Sequence, residues 1–199
     1  FFQVNTAQAE TVVSMVRDRL ALTGEETLVA AYAGVGTFAA LLAPRVRRVI
    51  AIEESEAAIK DAAINSLGIE NLEFRQGKTE DVLGGLNDKV DVVILDPPRV
   101  GCQPDALRAV ARWAPRRLCY VSCDPESLAR ALQVLVEGGR RARFPLEPEE
   151  CLFARVLARD HHLEGDRVFQ FRVTRPVNHP HSFLLYTSPS PRDATLSTM

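Results

Sequence analysis

Ser122-Cys123-Asp124-Pro125 sets a thiol between a strand-like run, Arg117–Val121, and a helical run, Glu126–Glu137. The start of a helix stabilises negative charge, so a cysteine there is biased toward thiolate. Cys123 is therefore the candidate nucleophile. A soft sulfur that can add to a carbon and later leave again suits covalent catalysis at a centre too weak to react unaided. Cys119, earlier in the same strand, and Cys151 read as small buried hydrophobes. With Cys102 they make four cysteines in neither C-x-x-C nor zinc spacing. No metal is expected, and the thiols read as reduced and intracellular.

Three further loops carry chemistry. Ala33-Gly34-Val35-Gly36-Thr37 follows the apolar run Leu28–Tyr32, and its glycines let backbone approach a ligand closely. The next strand, Arg48–Ile52, ends at Glu53, whose carboxylate can accept from both hydroxyls of a ribose. Together they indicate a nucleoside-containing cofactor, and NAD and S-adenosylmethionine both fit. Asp96-Pro97-Pro98-Arg99 ends a further strand. Its prolines fix the backbone and leave carbonyls free to face a base. A dehydrogenase has no use for this tetrad, whereas amino-methylating nucleic-acid methyltransferases carry a related Asp/Asn-Pro-Pro-aromatic string.

Alternating elements must hold these loops. Ala9, Val12, Val13, Val16 and Leu20 form one stripe of a helix over about 6–22, ended by Thr23-Gly24. Ser55 caps a helix to Leu67, Asn71–Arg75 is a strand, and a short helix lies near Thr79–Leu83. Asp91–Leu95 contains Val92-Val93-Ile94-Leu95, apolar throughout as in a strand buried on both faces. Pro104 opens a helix to Trp113, and Gly138-Gly139 are expected to close the helix that begins at Glu126. Val168–Val173 reads as a late strand. The fold expected from this alternation is α/β: a parallel sheet with right-handed crossovers and helices on both faces.

The 199 residues are 46% hydrophobic and 25% charged with a net charge of −2, which excludes a chain that is as a whole a coiled coil, collagen-like or a disordered tail. Apolar runs such as Leu28–Ala33 fall far short of the roughly 20 residues that span a bilayer. No membrane is expected, and a cytoplasmic monomer is. From Asp96 to Arg143 nine arginines and no lysine face five acids, a local excess suited to phosphate. The opening Phe1-Phe2-Gln3 lacks an initiator Met, and the run from Leu185 to Thr195 resembles translated sequencing adapter. Residues 1–183 are expected to form the domain, clearest to about residue 139. Residues 184–199 are expected to be a non-native or disordered tail, outside the fold.

Phe2-Gln3-Val4-Asn5, Tyr32-Ala33-Gly34-Val35-Gly36-Thr37-Phe38, Ile52-Glu53, Asp96-Pro97-Pro98-Arg99 and Val121-Ser122-Cys123-Asp124-Pro125 with Leu128-Ala129-Arg130 occur in this order. In these strings the chain resembles the RNA uracil-5-methyltransferase family, which makes 5-methyluridine in tRNA and large-subunit rRNA. The resemblance implies S-adenosylmethionine as cofactor and a class I methyltransferase fold: α/β, Rossmann-like, with a mostly parallel seven-stranded sheet, helices on both faces, and the last strand antiparallel or damaged. It places Gln3, Tyr32, Gly34, Gly36, Thr37, Glu53 and Asp96 at cofactor-binding positions and Cys123 at the nucleophile. Pro97, Arg99 and Arg130 are expected to face an RNA substrate.

His162-Leu163-Glu164 keeps part of the family's general-base string, which makes Glu164 the candidate base. Ala30 stands where the family usually has an acid. Gly77-Lys78-Thr79 stands where an adenine contact is common, and none is assigned there. The family's RNA-gripping N-terminal domains, in some members bearing an iron–sulfur cluster, are expected outside this chain. Two rival readings are an amino-group nucleic-acid methyltransferase using the Asp-Pro-Pro loop and a non-catalytic module that binds cofactor or RNA.

Overall fold

The computed structural model describes residues 6–122, 124–142, 152–157, 168–174 and 184–187. Helix α1 (Thr6–Leu20) precedes strand β1 (Thr27–Ala31), α2 (Thr37–Leu42) and a 3-10 turn at Ala43–Arg45. Then come β2 (Arg48–Glu53), α3 (Glu56–Asn65), β3 (Leu72–Gln76), α4 (Thr79–Gly85) and β4 (Val92–Leu95). The chain continues through α5 (Pro104–Trp113), β5 (Arg117–Ser122) and α6 (Pro125–Ala142). Strands β6 (Leu152–Leu157), β7 (Val168–Thr174) and β8 (Leu184–Thr187) follow.

The sheet order is β3-β2-β1-β4-β5-β6-β7-β8. Strands β1 to β6 are parallel, and β7 and β8 are antiparallel to their neighbours. The order reverses between β1 and β4, so the crevice expected at such a switch point opens over their carboxyl ends. Alternation along the strands sorts the core into two faces. Val29, Ala31, Val93, Leu95, Leu118 and Tyr120 pack with α5 and α6. Leu28, Ala30, Val92, Ile94, Cys119 and Val121 pack with Val12, Val16 and Leu20 of α1 and with α2. Helices therefore cover both faces, as the uniformly apolar β4 requires.

Three elements differ from expectation. Helix α6 does not stop at Gly138-Gly139 but runs through them to Ala142. A Cβ built on Gly138 would lie 2.7 Å from Ala111 Cβ, so this glycine lets α6 press against α5 rather than ending the helix. Leu152–Leu157 forms β6 where no strand was expected, after the uninformative Glu147-Pro148-Glu149-Glu150. Among the described residues the sheet has eight strands instead of seven, and one of them, Leu184–Thr187, lies in the segment expected to stay outside the fold. Its Leu-Leu-Tyr-Thr suits a strand and pairs with β7, whose edge would otherwise be open.

Candidate active site

The loop after β1 turns on three residues in the left-handed region: Tyr32 (φ 59°), Gly34 (φ 55°) and Gly36 (φ 83°). Glycine adopts this conformation without strain, whereas Tyr32 adopts it at a cost that the surrounding loop must offset. A Cβ on Gly34 would meet none of the described residues within 4 Å, so that side of the loop is open among them. A Cβ on Gly36 would sit 3.3 Å from both Ala62 Cβ of α3 and Phe74 Cζ of β3. Thr37 begins α2 and is exposed.

Glu53 ties this loop down. Its Oε2 accepts from the Gly34 amide at 2.8 Å and its Oε1 from the Ser55 amide at 2.8 Å. A carboxylate oxygen has two lone pairs, so each keeps one acceptor site for a ligand hydroxyl. Ser55 caps α3 by accepting from the Ala58 amide.

Asp96 follows β4, its amide donating to the Ala31 carbonyl at 3.3 Å. Surrounding protein raises its carboxyl from the ordinary carboxylate range to about 6. The residue is nevertheless solvent-exposed. Pro97 is buried, and Pro98, Arg99 and Val100 are exposed. A 2.8 Å bond from the Gly101 amide to the Pro98 carbonyl closes a turn with Arg99 and Val100 at its tip.

Next to that turn lie Cys102 and Tyr120, which the sequence did not single out as site residues, and Tyr32, which it did. The Cys102 amide donates to the Tyr120 hydroxyl at 3.4 Å. Burial pushes the Cys102 thiol up to about 11 and the Tyr120 phenol higher still, so both are neutral near pH 7. The buried Tyr32 hydroxyl has no hydrogen-bond partner among the described residues, and burial raises its phenol as well. Cys119 is buried in β5 as expected, its thiol pushed up to about 12. Neither described thiol is a nucleophile at neutral pH.

After β5 the chain is held on both sides of residue 123. The Asp124 amide donates to Ser122 Oγ at 3.1 Å, and Ser122 Oγ lies 2.8 Å from the Asp124 carbonyl as donor. Asp124 Oδ2 accepts from the Ser127 amide at 2.7 Å, and its carbonyl accepts from the Leu128 amide. Asp124 is thus the N-cap of α6, with Pro125 in the first helical position. The signal for this was present as Asp124-x-x-Ser127, an acid three residues before a helical amide.

Parallel order brings Tyr32, Gly34, Gly36, Thr37, Glu53, Asp96, Pro97 and Arg99 to the carboxyl ends of β1, β2 and β4. Ser122 and Asp124 end the adjacent β5. Arg130 lies on the first half of α6, exposed, with Glu126 4.0 Å away. Gln3, Cys123 and Glu164 lie outside the described residues.

The arginine excess is not gathered on this edge. Arg117 starts β5 at the opposite edge, donating to the Leu20 and Ala21 carbonyls with Glu26 at 3.5 Å. Arg112 and Arg116 lie toward that far edge too, because α5 runs antiparallel to the strands. Arg99, Arg108 and Arg130 remain toward the carboxyl ends of the strands, and Arg108 pairs with Asp105.

A model of the tRNA (uracil-5-)-methyltransferase family matches residues 1–165. The chain belongs to the tRNA (uracil-5-)-methyltransferase family. An uncharacterized RNA methyltransferase of Synechocystis sp. is 45% identical over 143 residues, 70% of this chain and 30% of that protein. One from Thermosynechococcus vestitus is 45% identical over 74% of this chain and 33% of its own length. The chain thus spans about a third of these relatives. Among solved structures, the Pyrococcus abyssi tRNA (uracil-54, C5)-methyltransferase in complex with S-adenosyl-L-homocysteine is 31% identical. It has a TM-score of 0.59, over 77% of this chain and 36% of that one. A Methanobacterium thermoautotrophicum precorrin 8w decarboxylase, 22% identical with a TM-score of 0.58, shares the fold. In this member of the methyltransferase family the glycine loop, the Asp96–Arg99 turn and the Ser122 and Asp124 ends of the next loop follow three adjacent strands, β1, β4 and β5.

Proposed function

We propose that this chain is the catalytic part of an enzyme that methylates carbon 5 of a uridine in RNA, with S-adenosylmethionine as donor and Cys123 as nucleophile. The observation that carries this reading is the adjacency of β1, β4 and β5. It sets the open glycine loop, the Asp96–Arg99 turn and the end of β5, after which Cys123 follows in the sequence, side by side. Family membership and the S-adenosyl-L-homocysteine complex of the Pyrococcus abyssi relative support it.

The residues present fit the donor. Glu53 retains acceptor sites for ribose hydroxyls, and Gly34 leaves its side of the loop clear for a ligand. Asp96 supplies a carboxylate for an ammonium group, and Gln3, Tyr32, Gly36 and Thr37 complete the proposed set. When bound, S-adenosylmethionine supplies a methyl group on an electrophilic sulfonium.

Carbon 5 of uracil is too weak a nucleophile to take that methyl unaided. The Cys123 thiolate adds to carbon 6, and the electron pair of the 5,6 double bond makes carbon 5 enolate-like. After carbon 5 is methylated, a base removes its remaining proton. The double bond re-forms as the carbon–sulfur bond breaks, returning the thiolate. Glu164 is the proposed base. Pro97, Arg99 and Arg130 are proposed to bear on the RNA. Helix N-termini stabilise anions, and α6 begins one residue after Asp124, which favours the thiolate at position 123. The neutral thiols of Cys102 and Cys119 make neither a competitor.

The test is to mix the chain, in its full-length polypeptide, with S-adenosylmethionine and tRNA or rRNA transcripts containing 5-fluorouridine. Fluorine cannot leave as the proton does, so the adduct accumulates. The expected result is a covalent protein–RNA band that Cys123→Ala abolishes. Absence of the band, or methylation that survives Cys123→Ala, overturns the covalent reading. Survival would favour amino-group methylation through the Asp-Pro-Pro turn instead.

A further inference from the structure

The bonds around position 123 form a closed set. Ser122 Oγ reaches across it to both the amide and the carbonyl of Asp124. Ser127 Oγ donates to the same carbonyl at 3.0 Å and lies 3.4 Å from Ser122 Oγ. The Asp124 carboxylate holds the Ser127 amide at 2.7 Å. Ser122 and Ser127 are buried, so these bonds compete little with water. The set also touches the neighbouring loop. A Cβ built on Gly101 would sit 3.1 Å from Ser127 Cβ and 3.6 Å from the Tyr120 hydroxyl oxygen. Gly101 has φ 87°, so the Asp96–Arg99 turn seats on Ser127 only because position 101 has no side chain.

We infer that Asp124 is a positioning residue for Cys123: with Ser122 and Ser127 it braces the backbone on either side of the nucleophile and sets its distance from the Asp96–Arg99 turn. This rests on the covalent reading above. The brace acts before substrate arrives, because every bond in it is internal to the protein. Its contribution is orientation. A misplacement of about 1 Å at a reacting atom slows chemistry on the order of 100-fold. The cap needs an acceptor oxygen, not a charge, and asparagine caps as well as aspartate.

The experiment compares Asp124→Ala, Asp124→Asn and Ser122→Ala with the unmodified full-length protein. It follows the rate of 5-fluorouridine adduct formation, kcat and KM, and the affinity for S-adenosylmethionine by calorimetry. Asp124→Ala is expected to slow adduct formation and kcat by about 10- to 100-fold, with KM and cofactor affinity within about twofold. Asp124→Asn is expected to restore most of the rate. Ser122→Ala leaves the cap intact and is expected to fall between.

Equal rates for Asp124→Ala and the unmodified protein overturn the inference. So does a loss in Asp124→Asn as large as in Asp124→Ala, since charge would then matter and not the cap. If Asp124→Ala does not fold, the other two variants decide: a Ser122→Ala rate equal to that of the unmodified protein, or a loss of about 10-fold or more in Asp124→Asn, overturns the inference. Failure of the covalent reading looks different: the unmodified protein itself forms no adduct.

Discussion

Replacing Gly36 and Gly34 separately by alanine tests how the cofactor loop is built. Both glycines have positive φ, 83° and 55°, where a side chain costs roughly 1–2 kcal/mol. They differ in surroundings. An alanine at 34 meets open space. One at 36 lands 3.3 Å from the Ala62 methyl and the Phe74 ring, and Ala62 is fully buried and cannot retreat. Crowding of that kind adds about 1–3 kcal/mol. Gly36→Ala should thus cost about 2–5 kcal/mol and Gly34→Ala about 1–2 kcal/mol. With a urea slope of about 2 kcal/mol per molar, the two midpoints should lie roughly 1 M apart. Urea denaturation followed by circular dichroism reads the difference directly. Equal midpoints would show that the loop does not press on α3 and β3, and the close approach argued for Gly36 would be wrong.

Gly138→Ala should destabilise by about 1–3 kcal/mol, because its Cβ would lie 2.7 Å from Ala111 Cβ. An open helical site would instead gain about 1 kcal/mol from the same change, so the sign of the shift in thermal melting decides. Glu26 is buried, which by itself raises its carboxyl. Bonds from Thr23 and the backbone, with Arg117 nearby, outweigh this and hold it below the usual range. Its contribution is present above the unfolded value and is lost as pH falls through the lower folded one. Glu26→Gln should therefore cost about 1.5–3 kcal/mol at pH 7 and progressively less below about pH 4, read by denaturation at each pH.

Asp96 has the opposite sign: its folded value is raised to about 6. Protein with Asp96 should lose stability relative to Asp96→Asn as pH rises from about 4 to 6, and the gap should stay constant above that. A gap that narrows over that range would refute the shift. S-adenosylmethionine affinity measured over the same range should rise with pH if Asp96 binds an ammonium.

Much of the positioning machinery was legible in the chain itself. Val92-Val93-Ile94-Leu95 announced a strand covered on both faces, and β4 is buried from end to end. Pro104 and Ser55 marked helix starts because their roles are local, a fixed φ in one case and a capping oxygen in the other. Gly34, Gly36, Glu53 and Asp96 stood out because each directly follows or ends a parallel strand, where such sheets bind ligands.

Pairs distant in sequence were not legible. Gly138 reads as a helix stop until α5 is seen pressed against it, and β6 and β8 owe their places to neighbouring strands. The arginines between Asp96 and Arg143 read as one basic surface. The antiparallel course of α5 and the direction of β5 send Arg112, Arg116 and Arg117 to the far edge.

The sequence by itself determined the kinds of groups available: a cysteine before a helix, a carboxylate after a strand, glycines where the backbone must turn. Tertiary structure decided which of them meet. Strand order places Gly101 of one loop on Ser127 of the next, and a contact between residues 26 positions apart depends on packing that no local pattern encodes.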